Sequence, residues 1–292
     1  MCMTKGMVSV LIPARNEIFL QKTIKDLLVK AKGQIEIIAV LEGYWPPFEE
    51  IVEDPRVIYL HHGAPKGMRT AINHAAQIAK GEFLMKSDAH CMYGEGFDEI
   101  LKADMEENWI VIPRRHRLEP ESWTLQEVHK PPVDYEFLSS PAGAGAKGSI
   151  WPERTLERMD KPEFLIDENM SFQGSCWFTT RSHYIDRLKM MSPEGYGEFV
   201  REAQELGLKT WLGGGKVMTN KKTWYAHLHK GKKYGRMYFL NQRDMIKGEQ
   251  YCDDYWFNNR YPDAVHDLAW LIERFSPVPS WTPELIEQVR KR

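Results

Sequence analysis

The stretch Gly81-Glu-Phe-Leu-Met-Lys-Ser-Asp-Ala-His-Cys91 decides how this chain is read. Phe83, Leu84 and Met85 form an apolar run after a glycine, the pattern of a short buried strand. The run ends abruptly in Lys86, Ser87, Asp88 and His90. Open α/β sheets bind ligands beyond the carboxyl ends of their strands. Asp88 and His90 lie two positions apart, so in extended chain both side chains point the same way. A carboxylate and an imidazole so placed suit Mn²⁺, Zn²⁺ or a similar divalent ion. A polar turn closing a strand has the same residues, and this spacing alone leaves both readings open.

Working upstream, Met7 to Ile12 reads as a buried strand stopped by Pro13, with a polar turn from Ala14 to Glu17. Phe19 to Ala31 has helical spacing. Ile35 to Leu41 is a second strand ending in Glu42-Gly43, and Val57 to Leu60 a third. Met68 to Ala79 is an alanine-rich helix. Strands alternating with helices argue for a parallel, Rossmann-like α/β sheet. The chain has no GxGxxG, so a dinucleotide fold of the usual kind is not supported.

Downstream, the pattern predicts a helix over Phe97 to Glu107 and a strand over Trp109 to Ile112, then the basic Arg114-Arg115-His116-Arg117. Residues 120–152 are rich in Pro, Gly and Ser, and 141–149 is the most flexible-looking piece. Gly174 to Thr180 reads as a strand, and Glu198 to Leu212 as a helix stopped by three glycines. From Lys216 to Lys247, nine cations are opposed only by Asp244 and interleaved with Trp224, Tyr225, Tyr234, Tyr238 and Phe239. That mixture suits a polyanion with stackable rings, such as nucleic acid; a solvated surface over a core edge reads the same way. Tyr251 to Arg292 reads as helical, with Thr282 as an N-cap and Pro283 at the first helical position.

The 292 residues suffice for one large domain, or a domain plus an extension, and the formal charge of −2 is nearly balanced. The cysteines Cys2, Cys91, Cys176 and Cys252 form no CxxC pair. Neither a zinc ribbon nor a disulfide framework is indicated, and a reducing, cytoplasmic setting is the default. No signal-peptide pattern or transmembrane-length apolar stretch is present, so membrane contact is expected only as peripheral.

Together these motifs form a recognisable order. Val8-Ser-Val-Leu-Ile-Pro-Ala-Arg-Asn-Glu17 resembles the first strand and nucleotide-binding turn of glycosyltransferase family 2 and its GT-A relatives. Residues 66–83 resemble the helix before the metal strand of that fold. Ser87-Asp88-Ala-His90-Cys91 looks like the Asp-x-His metal motif of the polypeptide N-acetylgalactosaminyltransferases. Glu202-Ala-Gln-Glu205 and the glycines 213–215 are similar to a later block of that subgroup, whose spacing carried forward reaches His227, with His229 as the alternate.

The resemblance implies a GT-A fold: a mixed, mostly parallel sheet flanked by helices over residues 1–230, with a basic, aromatic, mostly helical extension over 231–292 packed on it. It implies Mn²⁺ or Mg²⁺ held by Asp88, His90 and His227, and a UDP-sugar donor. Pro13, Arg15, Glu17 and Glu42 would surround base and ribose; family members more often carry aspartate at the Glu42 position. Lys66 and Arg69 would approach the diphosphate, Ser87 would sit beside the metal residues, and Gly174 and Trp177 would line the sugar pocket. Inverting members typically place an aspartate after the glutamate at the Glu202 position, where this chain has Ala203. That sides with retention, with Glu202 orienting sugar or acceptor and Glu198 as the replacement base otherwise. The expected activity is metal-dependent sugar transfer to a hydroxyl, with a hydroxymethylated DNA base, read through 216–247, as the sharper acceptor. Glycan, protein and lipid-linked acceptors stand beside it, as does a non-catalytic nucleic-acid binder on a degenerate fold. A nucleotidyltransferase lacks its glycine-rich, lysine-bearing phosphate loop here.

Overall fold

The computed structural model describes residues 3–126 and 131–292, and its chain alternates strand and helix from the start. In order come β1 (Thr4–Ala14), α1 (Leu20–Lys30), β2 (Ile35–Glu42), β3 (Val57–His62), α2 (Met68–Ile78), β4 (Gly81–Ser87), β5 (Cys91–Tyr93), α3 (Phe97–Ala103) and β6 (Trp109–Glu119). The short strands β7 (Thr124–Leu125), β8 (Glu136–Leu138) and β9 (Gly148–Ile150) follow, then α4 (Pro152–Arg158), β10 (Ile166–Glu168), β11 (Cys176–Thr180), α5 (Glu202–Leu212), β12 (Lys216–His227), α6 (Gln242–Phe257), α7 (Leu268–Arg274) and α8 (Pro283–Arg290).

The main sheet runs β10-β12-β6-β11-β4-β1-β2-β3. β3, β2, β1 and β4 are mutually parallel; β11 lies antiparallel between β4 and β6; β12 is parallel to β6. This is the mixed, mostly parallel, helix-flanked GT-A sheet that the sequence led us to expect. The chain leaves β1 outward through β2 and β3, then α2 returns it to β4 on the other side of β1. The strand order therefore reverses between β1 and β4, and the crevice beyond their carboxyl ends is where open sheets bind ligands.

Period-two alternation builds the two faces. Leu11, Ile38 and Val40 pack with Ala71, Ala75 and Ala76 of α2 in one core, whereas Val10, Ile12, Ile37 and Ala39 pack with Leu20, Ile24 and Leu27 of α1 in the other. Trp256, Leu271, Ile272 and Val289 from α6–α8 join Leu206 and Trp211 of α5 in the first core. The C-terminal segment is helical as expected, and the Thr282 side chain accepts from the Leu285 amide with Pro283 at the helix start.

Several expectations fail locally. The helix at Phe97 ends at Ala103. Glu198 precedes its helix rather than lying on it, because Arg201 adopts a left-handed φ of 56° at the α5 N-cap. Residues 141–149 are clamped rather than loose: the Ala146 amide donates to Asp253 Oδ1 at 2.6 Å. The first part of the basic segment, Lys216–His227, is a strand inside the sheet, between β6 and β10.

Candidate active and metal site

β4 delivers Lys86, and the turn after it delivers Asp88 and His90; β12 ends at His227, paired in register with Cys91. Two strands distant in sequence thus meet at the switch-point crevice. His227 Nε2 lies 3.2 Å from Asp88 Oδ2 and 3.1 Å from His90 Nε2, and His90 Nε2 lies 3.9 Å from Asp88 Oδ2. Adjacent ligands on a divalent ion with bonds of about 2.1 Å are about 3.0–3.4 Å apart. Two of the three edges match, and the donor set of one carboxylate and two imidazoles suits Mn²⁺, Zn²⁺ and similar ions. His229 is not part of this cluster; its ring packs edge-on against His227.

The surroundings keep these groups in ligand form. Burial holds the His227 imidazole down at about 3, so it stays neutral. Burial pushes Asp88 upward, but Lys86 and the two histidines outweigh it and hold the carboxyl well below its usual range. Lys86 Nζ donates to Asp88 Oδ1 at 2.5 Å, leaving Oδ2 facing the imidazoles. His90 Nδ1 bonds Glu17 Oε2 at 3.1 Å, which fixes the other ring nitrogen toward Asp88 and His227. Burial opposes the charge on Glu17, yet His90 and Lys230 lower its pKa.

Pro13, Arg15, Glu17, Glu42, Asp88, His90, Gly174, Glu198, Glu202 and His227 line one cleft of about 690 Å³. Glu202 is buried; its Oε1 accepts from Trp177 Nε1 at 2.8 Å and its Oε2 lies 3.5 Å from Lys86 Nζ. Burial raises the Glu202 pKa, with Lys86 and Trp177 opposing. Gly174 is bare for a reason: a Cβ there would come within 2.6 Å of Glu202 Oε2. Glu198 stands at the rim, 3.3 Å from Arg15. Ala203 lines the cleft beside Glu202 with no acid–base group of its own.

Other assignments are corrected by their surroundings. Arg69 is 1% exposed and spends its guanidinium on Glu205 and the Val200 carbonyl, so it faces the core and not a diphosphate. Ser87 points to the opposite face from Asp88 and accepts from the Tyr93 hydroxyl at 2.6 Å. Trp177 is fully buried behind Glu202, which it positions, and does not line the cleft. Lys66 is exposed outside the cleft; its amide, like that of Gly67, donates to Glu42. Glu42 also bonds His62 Nδ1 at 2.9 Å, so its carboxylate is engaged in holding the turn before α2. Gly67 makes that turn at φ 89°.

Lys86, Arg115, Gln173, Lys230, Arg236 and Tyr238 also line the cleft and were missed as site residues. Lys86 was findable, since it alternates with Asp88 and His90. The others arrive on segments whose position only the fold reveals. Nor is 216–247 one continuous basic face among the described residues. Lys216 pairs with Glu168, Lys222 with Asp104, Lys230 with Glu17 and Lys233 with Glu121. Lys221 is buried against the Tyr135 hydroxyl and Arg158 carbonyl.

Comparisons with known proteins bear on the family and the fold. The family described as glycosyl transferase family 2 matches residues 9–186. No curated protein sequence matches the chain. The solved structure of GalNAc-T7 with UDP, GalNAc and Mn²⁺ is similar, with a TM-score of 0.66 at 16% identity over 98% of this chain and 54% of that one. S. aureus TarS 1-349 in complex with UDP-GlcNAc gives 0.58 at 12% identity over 90% of this chain and 69% of that one. At such identities the likeness is one of fold, and the chain spans about half the length of the GalNAc-T7 chain. No described helix is long and apolar enough to cross a membrane.

Proposed function

The chain belongs to glycosyl transferase family 2, and from that premise we propose that it transfers a sugar from a UDP-sugar to an acceptor hydroxyl with a divalent ion, Mn²⁺ or Mg²⁺, at Asp88, His90 and His227. The observation that carries this is the placement of those three donors on the floor of the cleft at the β1/β4 crevice. The catalytic unit in this reading is 1–230, with 231–292 packed on it through the shared core. A divalent ion bound there would supply countercharge for a diphosphate leaving group. Asp88 and the two imidazoles would hold it, with Glu17 orienting His90. Pro13 and Arg15, at the end of β1, flank the nucleoside end of the cleft. Lys86 fixes Asp88 on one side and reaches Glu202 on the other. Glu202, buried behind Gly174, orients the sugar.

Retention is the stereochemical part of the proposal. The position after Glu202 carries Ala203, and Glu198 at the rim is engaged with Arg15. Ala203 offers no base, and Glu198 is the group that would serve as one if the reaction inverted. The test is UDP release from a panel of UDP-sugars with Mn²⁺, with and without hydroxymethylated DNA, beside Asp88→Ala. Release requiring both metal and Asp88 is expected, and the anomeric configuration of the product by NMR reads retention directly. Stimulation by the DNA would make the modified base the acceptor. Metal-independent release, or release untouched by Asp88→Ala, would overturn the assignment.

A further inference from the structure

The segment after β12 crosses the mouth of the cleft with alternating orientation. Tyr238 and Leu240 line the cleft, whereas Met237 and Phe239 point outward, 67% and 84% exposed. On α6, Arg243, Ile246, Lys247 and Gln250 recur at helical spacing on its exposed side, and Ile246 is 54% exposed. Lys232, Arg243 and Lys247 are exposed and make no ion pair among the described residues, and Asp244 is the one exposed acid between Lys230 and Lys247. Three large apolar side chains thus stand outside the fold among unneutralised cations.

We propose that this face, Met237, Phe239 and Ile246 with Lys232, Arg243 and Lys247, docks on an anionic lipid bilayer, so that the cleft opens at the membrane surface. Interfacial segments bind by burying apolar side chains at the headgroup boundary while cations meet anionic lipid. A polyanion such as DNA would satisfy the cations and leave the three apolar groups without a partner. A second copy of the chain would satisfy the apolar groups but, across a two-fold axis, set cation against cation. An anionic bilayer answers both halves of the surface, which neither of those two does. The docking needs no turnover, so it stands or falls apart from the sugar-transfer reading.

The test is co-sedimentation of the full chain with phosphatidylcholine vesicles, with and without phosphatidylglycerol, across salt, with a duplex-DNA arm. Binding is expected to the anionic vesicles alone and to weaken with salt. Lys232→Gln/Arg243→Gln/Lys247→Gln should lower the partition coefficient about a hundredfold. Met237→Ser/Phe239→Ser should lower it about tenfold or more. Both variants change exposed side chains outside the cleft, so circular dichroism and UDP release should match the native chain. No binding to anionic vesicles at low salt would overturn the proposal. So would vesicle binding indifferent to the two serines, or tighter binding to duplex DNA than to vesicles.

Discussion

Glu17→Ala tests whether the histidine cluster is a metal site at all. Glu17 is 7% exposed, and its Oε2 is the partner of His90 Nδ1 at 3.1 Å. Without it the imidazole is free to rotate and to place its proton on either nitrogen, so the ligand nitrogen is no longer pre-set. Loss of such an outer partner typically lowers metal affinity about 10–100-fold, roughly 1.4–2.8 kcal/mol. The upper end is expected here, because Lys230 also loses its partner and leaves an uncompensated cation beside the ion. Glu17→Gln keeps an acceptor but not the charge and should fall between native and alanine. The assay is a Mn²⁺ titration followed by the electron paramagnetic resonance of the free ion, with UDP present throughout. Glu121→Gln, which touches Lys233 and Tyr234 but no histidine, serves as control and should bind as the native chain does. A Glu17→Ala chain that melts normally and binds Mn²⁺ within about twofold of native would refute the reasoning, since His90 would then need no orienting carboxylate or would not be a ligand.

Gly174→Ala should displace Glu202, because the new Cβ would stand 2.6 Å from its Oε2; a stability loss of about 1–3 kcal/mol in urea and slower UDP release are expected, and unchanged turnover would remove Glu202 from the reaction. Arg69→Met leaves the buried Glu205 with Lys209 as its remaining cation and should cost about 2 kcal/mol in urea denaturation, while UDP affinity of the folded variant stays near native; a selective loss of UDP binding would return Arg69 to the donor site. His183 is buried, and burial followed by Arg187 holds its imidazole at about 4. The unfolded chain takes up that proton near its ordinary value of about 6.5. Its contribution is therefore fully present above that pH and lost as pH falls toward 4, about 2 kcal/mol of it between roughly pH 7.5 and 5. The urea midpoint of His183→Gln should accordingly depend less on pH than that of the native chain; equal slopes would count against it.

How much of the site the sequence carried depends on the range of the physics involved. The end of β4 was readable because alternation is local: it sets Lys86 and Ser87 on opposite faces, and Asp88 and His90 follow in the turn just beyond the strand. Ser87 was placed in the site only because it stands next to Asp88, and its bond to Tyr93 follows from the alternation. Arg69 sits on the α2 face that buries Ile72, Asn73 and Ala76, so helical spacing places it inside. What spacing cannot supply is Glu205, 136 residues later, which makes a buried guanidinium tolerable. His227 is the same problem at the metal: 137 residues separate it from His90. It was reached through family resemblance, because no local pattern marks it.

The basic segment shows the limit most sharply. A window of nine cations and one acid reads as a polyanion surface because the window holds no partners. The fold supplies them from elsewhere: Asp104 for Lys222 and Glu121 for Lys233 come from over a hundred residues away, and Glu17 for Lys230 from 213. Once β12 is recognised as a strand within the sheet, Lys216, Lys221 and Lys222 belong to its buried and paired chemistry. Charge counted along the chain thus overstates the field that a ligand meets. What survives pairing among the described residues is Lys232, Arg236, Arg243 and Lys247; Arg236 lies over the Phe199 ring in the cleft, and the other three are exposed, as are Met237, Phe239 and Ile246. A field of four cations, one of them inside the cleft, is weak for counterion-driven binding to a duplex, which draws on many phosphate contacts. The three outside the cleft, Lys232, Arg243 and Lys247, each worth about 1 kcal/mol near anionic lipid and joined by apolar insertion, suffice for reversible attachment to a bilayer.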